Sequence, residues 1–289
     1  MTTDSPTAAG VFAGLTTLDV VQHVDRFPGR DEKVTAAAQF LSAGGPAANA
    51  AVTFSALGGS AVLVTALGSG PAADVARADL RAHGVRVVEV PVDGGDAPVS
   101  AVLVDRGTGE RSVAGTDATA LAPAAPIGIG SFGADVVLLD GHYPEVAAAV
   151  LDAERAPVVL DAGRWKEPMR PLLTRAQTVI ASAGFRTPGA ADAVATSRAL
   201  RGMGVPTVVT THGPDPVHWI DGAESGSVAP PRVAAVDTLG AGDAFHGAYC
   251  WQLVAGRPDV PGRIAAAARV AALRTTIAGP RAWLRELHR

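Results

Sequence analysis

Short apolar runs separated by helix-length segments constrain this chain more than any other feature. Runs at residues 11–15, 61–67, 85–90, 136–140, 158–161, 178–181 and 205–210 consist mostly of Val, Ile, Leu and Ala, with little polar interruption. Continuous rather than alternating hydrophobicity is what a parallel strand buried on both faces requires. Segments at 46–57, 72–82, 146–153 and 190–201 read as helices, and two more, at 241–253 and 263–277, close the chain. Pro46 stands in the first turn of the first helix and Gly58 lies just past its end, as helix punctuation requires. Strands alternating with helices imply an α/β, Rossmann-like, doubly wound, mainly parallel sheet. Two stretches fall outside that pattern. Residues 19–40 are polar and alternating, with a turn at Pro28-Gly29. In residues 97–115, Gly107-Thr108-Gly109 separates two strand-like runs as a hairpin would. Both stretches are assigned to one small sheet beside the main one, and residues 217–229 to a further short hairpin. A length of 289 residues without internal repeat or linker points to a single domain over 1–289.

Composition narrows the function classes. The formal net charge is -4, only two lysines occur (Lys33 and Lys166), and no basic block is present. The electrostatic footprint of a nucleic-acid or anionic-membrane partner is therefore missing. One cysteine, Cys250, cannot form an internal disulfide. The polar start of the chain, residues 1–10, has no signal-peptide pattern, so a reducing cytoplasm is expected. The apolar stretch 50–67 is broken by Gly58-Gly59-Ser60 and reads as helix, turn and strand rather than a membrane span.

The most informative local sequence is Asp237-Thr238-Leu239-Gly240-Ala241-Gly242-Asp243-Ala244-Phe245, which opens an apolar helix. Gly240 and Gly242 let the backbone approach a ligand closely. The first amides of a helix are unpaired and sit at its positive dipole end, which makes an anion site. Asp243 in that first turn has the wrong sign to grip a phosphate. Beside an anion site, though, it can take a proton from an attacking hydroxyl while the amides hold the transferring group. The plainer alternative is a glycine-rich turn with Asp as a helix cap. A second small-residue stretch, Gly44-Gly45-Pro46-Ala47-Ala48-Asn49, would let a ligand lie against a helix start, or would simply pack tightly. Asp19 follows the first strand, where open α/β sheets bind ligands, or is a turn residue.

These three stretches, in this order, resemble the PfkB (ribokinase-like) family of carbohydrate kinases over almost the whole chain. Residues 14–20 and Pro230-Pro231-Arg232 resemble the ketohexokinase branch. Residues 44–52 and 242–248 are more similar to the bacterial sulfofructose-kinase-like branch. The resemblance implies a Rossmann-like core with a β-sheet lid at about 19–40 and 97–115, and ATP-dependent phosphorylation of a sugar hydroxyl. It implies Asp243 as catalytic base, with Gly240, Ala241 and Gly242 as the anion hole. Asp19, Gly45 and Asn49 match positions that hold sugar hydroxyls. Thr211 and Gly213 match the nucleotide loop. Asp237 matches a residue that shapes the site and, in some members, a monovalent-cation loop. ATP and Mg²⁺ are the implied cofactors, with K⁺ as a further candidate, and lid pairing implies a homodimer.

The departures carry information too. The family's Asn-x-x-Glu stretch, which helps place Mg²⁺ through water, should fall near Ala181-Ser182-Ala183-Gly184-Phe185, where neither residue occurs. The metal ligands are therefore left unassigned. Pro216 stands where a second glycine is expected after Gly213, and His246 stands where Asn is common. Arg164, past the strand at 158–161, is a candidate for an anionic substituent on the sugar or a solvated loop residue. His142 occupies a similar place, and His23 and Arg111 are candidates on the lid. Gly128-Ile129-Gly130-Ser131-Phe132-Gly133 fits a dinucleotide fingerprint, but it precedes a strand instead of joining strand to helix. No P-loop, no G-x-S-x-G and no zinc-ligand spacing occurs. The expected acceptor is a ketohexose or a modified ketohexose. A nucleoside kinase of the same fold and a non-catalytic sugar-binding protein are the alternatives.

Overall fold

Hydrophobic runs become strands almost where the sequence places them. A computed structural model describes residues 8–116, 121–124, 126–256 and 259–287. The first half of the chain contains β1 (Ala9–Ala13), β2 (Thr17–Val24), β3 (Ala38–Gly44), α1 (Pro46–Ala56), β4 (Ser60–Thr65), α2 (Pro71–Ala82) and β5 (Val85–Glu89). A hairpin of β6 (Val99–Asp105) and β7 (Arg111–Gly115) follows, then β8 (Val136–Leu139), α3 (Pro144–Ala153) and β9 (Val158–Ala162). The second half adds α4 (Arg170–Leu173), β10 (Thr178–Ser182), α5 (Ala193–Gly202), β11 (Thr207–His212), β12 (Asp215–Asp221) and β13 (Glu224–Val228). It closes with α6 (Ala241–Val254), α7 (Val260–Thr275) and a 3-10 segment, Ala282–Glu286. Neither α4 nor the 3-10 segment is marked by periodicity, since each is too short to show one. Residues 1–7 of the polar stretch read at 1–10 lie outside the described residues, as does Ala125.

The main sheet has nine strands in the order β13-β12-β11-β10-β9-β8-β1-β4-β5. All pairings from β11 through β5 are parallel, and the β12–β13 hairpin adds antiparallel strands at one edge. Along β1 the side chains divide between the two faces. Phe12 joins a core with Phe54, Leu80, Ala248 and Ile264, from α1, α2, α6 and α7. Val11 and Ala13 join a second core with Val146, Leu173 and Leu200, from α3, α4 and α5. Helices thus cover both faces. The chain leaves β1 toward β4 and β5, then returns to β8 on β1's other side. Crevices at such a reversal, outside the carboxyl ends of the strands, are where open α/β sheets bind ligands.

The small sheet runs β3-β2-β6-β7, with β2 and β6 parallel and the outer pairs antiparallel. Its observed strands extend past the expected 19–40 segment to Gly44, while 25–37 form a connection rather than strand. Register assigns its faces. Asp19 pairs with Ser42 on one side and Ser100 on the other, so the three form a polar row on the inner face. Val21 and Val102 share that face and pack with Leu239. Leu41 and Val99 point outward and are exposed.

One carboxylate pins the reversal point. Asp140, just past β8 and 5 % exposed, accepts from Leu15 N at 2.8 Å, Ala47 N at 3.2 Å and His142 N at 3.0 Å. It therefore ties the end of β1, the start of α1 and the end of β8 together. Gly14 makes room for it, since a Cβ there would lie 2.0 Å from the carboxylate. Burial acts to raise the pKa of Asp140, but His142 and the donated amides hold it below the usual carboxylate range. Asp140→Ala would strand these buried donors at about 1–3 kcal/mol each. The urea midpoint should fall by the equivalent of more than about 3 kcal/mol; a midpoint equal to the parent's would contradict this role.

Candidate active site

Asp243 sits in the first turn of α6, behind a left-handed Gly240 (φ 70°) that caps the helix. A Cβ on Gly240 would make only ordinary contacts, so glycine is needed there for its backbone conformation and not for space. The Ala241 amide turns back toward Thr238 O at 3.4 Å. Among the described residues, no acceptor meets the amides of Gly242 and Asp243. These amides and the dipole of a 14-residue helix present positive potential to an anion.

The Asp243 carboxylate is half-buried and is held by one neutral donor, Asn49 Nδ2, at 2.8 Å. The orientation of that amide is set from behind. Arg281 Nη1 donates to Asn49 Oδ1 at 3.0 Å, which turns the Asn49 NH₂ toward Asp243. Arg281 is itself anchored, donating to Asp79 Oδ2 at 2.9 Å and Ala43 O at 2.7 Å. Asp79, Arg281, Asn49 and Asp243 thus form one chain of hydrogen bonds ending at the Asp243 carboxylate. Burial acts to raise Asp79, but His83 and Arg281 bring it below the usual range, so the anchor stays ionised. Burial drives the pKa of Asp243 upward, and the nearby Asp161 pushes it further the same way; the Asn49 bond opposes both.

Two groups lie near Asp243 that the sequence alone does not bring to it. Asp161, within β9 and 7 % exposed, is pushed up to about 7, chiefly by burial and secondly by Asp140. His246 Nδ1, one turn along α6, lies 3.4 Å from Asp161 Oδ2, and burial lowers the pKa of this imidazole. One ligand atom from each of Asp161, Asp243 and His246 falls within 4.8 Å of the others. Groups this close titrate together.

Asp19 is 8 % exposed and accepts from Thr17 Oγ1 at 2.6 Å. Burial raises its pKa against the pull of Thr17, Ser100 and Arg281. Gly44 and Gly45 have steric reasons to be glycine. A Cβ on Gly44 would lie 2.1 Å from the Asp19 carboxylate, and one on Gly45 (φ 96°) would lie 2.2 Å from Leu15 O. Asp19, Asn49 and Gly240 line one pocket, together with Ser42, Arg281 and Trp283.

The remaining predicted residues spread along the carboxyl edge of the main sheet. Thr211 and Gly213 (φ 62°) lie at and just past the end of β11. Arg164 is exposed in the loop after β9, and no hydrogen bond or ion pair reaches it among the described residues. Asp237 is fully buried. His23 of β2 approaches it at 3.4 Å, and Arg111 of β7 donates to Thr238 Oγ1 at 3.3 Å. The lid hairpin also meets this loop through Gly109 O, which accepts from Thr238 Oγ1 at 2.7 Å.

A raised carboxylate beside helix-start amides without a partner among the described residues, near a small sheet carrying polar side chains, is chemically suited to transferring a phosphoryl group to a hydroxyl. Comparison with known proteins agrees. The model of the pfkB family of carbohydrate kinases matches residues 10–126 and 180–286, and the chain belongs to that family. It is 32% identical over 253 residues to an ATP-dependent ribose-1-phosphate kinase of Halopiger xanaduensis, covering 82% of each chain. It is 34% identical to a ketohexokinase of Mus musculus over 101 residues, 35% of this chain and only 34% of that one. The structure of Arabidopsis thaliana ribokinase complexed with ribose and ATP superposes with a TM-score of 0.72 at 22% identity, covering 98% of this chain and 99% of that one. A Giardia lamblia ribokinase gives 0.76 at 19%, covering 96% of each. The fold is ribokinase-like, and the chain is a sugar phosphotransferase.

The raised Asp243 pKa has a kinetic consequence. A base works only when ionised, so activity is lost as pH falls through its pKa. The acid limb of kcat/KM should lie above the ~4 of an ordinary aspartate. Asn49→Ala, which removes a bond favouring the charged form, should move that limb further up. A limb at the ordinary value, or one displaced downward in the variant, would contradict the site described.

Proposed function

We propose that this kinase transfers the γ-phosphoryl group of ATP to a primary or anomeric hydroxyl of a sugar, with Asp243 as the base. The observation that carries the reading is the Asp243 carboxylate, raised in pKa and held by Asn49 beside the unpaired amides of Gly242 and Asp243. The sugar would lie between the lid row of Asp19, Ser42 and Ser100 and the start of α1, with one hydroxyl at Asp243. The amides at the start of α6 would hold the charge developing on the transferring group. ATP would lie along the carboxyl edge of the main sheet, with Thr211 and Gly213 at its loop. Support for ATP comes from the family and from the nucleotide named with the Arabidopsis thaliana ribokinase.

Mg²⁺, when bound, would supply positive charge to neutralise the nucleotide phosphates. One or two carboxylates suffice to hold such an ion, so Asn and Glu at 181–185 are not required for it. The ionisable groups at the site fit that role: Asp161 offers a carboxylate beside the base, within the cluster that also contains His246.

A ketohexose or modified ketohexose is the first acceptor class, supported by the partial match to ketohexokinase. A sugar that already carries a phosphate is the second, favoured by the longer match to a ribose-1-phosphate kinase and by the exposed, unpaired Arg164. The whole chain would act as one unit, paired as a homodimer through the outward apolar residues Leu41 and Val99. Its compartment would be the cytoplasm. No helix among the described residues is long and apolar enough to cross a membrane.

ADP release from ATP and Mg²⁺ should be measured across ketoses, aldoses, sugar phosphates, sulfonated sugars and nucleosides. Turnover is expected with a sugar, and Asp243→Asn should lower it roughly 10²–10⁴-fold. Near-parental turnover by Asp243→Asn would overturn the assignment of the base. Turnover with nucleosides alone would overturn the sugar.

A further inference from the structure

The loop below the anion hole already holds a cation, and that cation is part of the chain. Asp237 is fully buried, and Arg274, in the last turn of α7, is 2 % exposed. Arg274 Nη2 lies 3.3 Å from Asp237 Oδ2. Its Nη1 donates to Asp237 O at 3.5 Å and to Ile277 O at 3.2 Å. A carboxylate and two backbone carbonyls therefore converge on one guanidinium. Converging protein oxygens are also what a desolvated K⁺ requires. Two amides and an imidazole surround the rest of the carboxylate, with Leu239 N 3.0 Å from Oδ1, Gly279 N 3.0 Å from Oδ2 and His23 Nε2 3.4 Å from Oδ2. Guanidinium has only donors and stays charged, so it satisfies these oxygens without dissociating. A second cation at the same oxygens would place two like charges side by side around one buried carboxylate, at a large electrostatic cost.

The fit test for K⁺ at Asp237 therefore fails, and we infer that Arg274 is a tethered cation that takes the place of a dissociable monovalent ion beneath the Gly240 anion hole. The consequence is local. Asp237, through Leu239 N, sets the loop that leads into α6, and Arg274 lines the same pocket as Gly240. The loop is thus organised by covalently attached charge, whatever the ionic composition. This inference deepens the kinase reading, but its geometry belongs to the Asp237 loop and does not depend on which sugar is phosphorylated.

The test uses the full chain and two readouts that need no turnover. Thermal unfolding would be followed in potassium chloride and in tetramethylammonium chloride at matched ionic strength, and crystals would be soaked in rubidium chloride for anomalous scattering. The expected result is one melting temperature in both salts and no rubidium peak at Asp237. Arg274→Lys, which keeps the charge, should stay indifferent to K⁺. Arg274→Ala should melt several degrees lower and be restored by K⁺ but not by tetramethylammonium. A K⁺-specific rise in the parent's melting temperature, or rubidium bound between Asp237 and the Ile277 carbonyl, would overturn the inference. So would an Arg274→Ala protein that folds and ignores K⁺. If that variant fails to fold, the parent's melting and the rubidium soak still decide. ADP binding measured alongside separates the two questions. Loss of nucleotide binding would count against the kinase reading and leave the cation result standing.

Discussion

Helices α1 and α6 approach so closely that a Cβ on Gly247 would lie 2.3 Å from Ala50 O. The site depends on this contact. It brings Asn49, from the first part of the chain, within 2.8 Å of Asp243, from the last part. Neither residue has a catalytic environment alone. Asn49 in a small-residue helix is an ordinary amide, and Asp243 at a helix start is an ordinary cap. Held together, they give a carboxylate that burial raises and a single neutral donor steadies. Glycines at 14, 44 and 45 repeat the device around the strand ends, each removing a Cβ where a carboxylate or backbone oxygen comes too near.

Electrostatics in the site follow from which carboxylates are paired. Asp79 and Asp140 accept from cationic or amide donors and are held low, so they serve as fixed anchors. Asp19, Asp161 and Asp243 are raised, with burial as the leading cause in each. Raised carboxylates are destabilising to keep in a fold and tend to mark functional sites. Here they lie on the small sheet, at the centre of the parallel sheet and at the start of α6. The lid adds its own ties to the α6 loop through Gly109, Arg111 and His23.

Much of this was legible in the sequence because it is written locally. Uninterrupted apolar runs gave the parallel strands, Gly107-Thr108-Gly109 marked the hairpin of the small sheet, and Gly240-Ala241-Gly242-Asp243 announced a helix start with a carboxylate in its first turn. Residues that work through distant partners left no such trace. Arg281 orients Asn49 from 232 positions away, and Asp140 reaches Leu15 across 125. Arg274 reads as one more arginine in an Ala-rich helix until Asp237 and Ile277 O close around it. His246 drew attention as a departure from the family pattern, but its approach to Asp161 is a tertiary fact. The short helical pieces Arg170–Leu173 and Ala282–Glu286 lack the length that periodicity needs.

The central claim is that Asn49 and Asp243 act as one catalytic unit through the bond between them. A double-mutant cycle on kcat/KM with Asn49→Ala and Asp243→Asn tests it most directly. The account predicts strong non-additivity: once Asp243 is changed, removing Asn49 should cost little more. Equal losses from Asn49→Ala in the parent and in the Asp243→Asn background would show that the two residues act independently, and would contradict it.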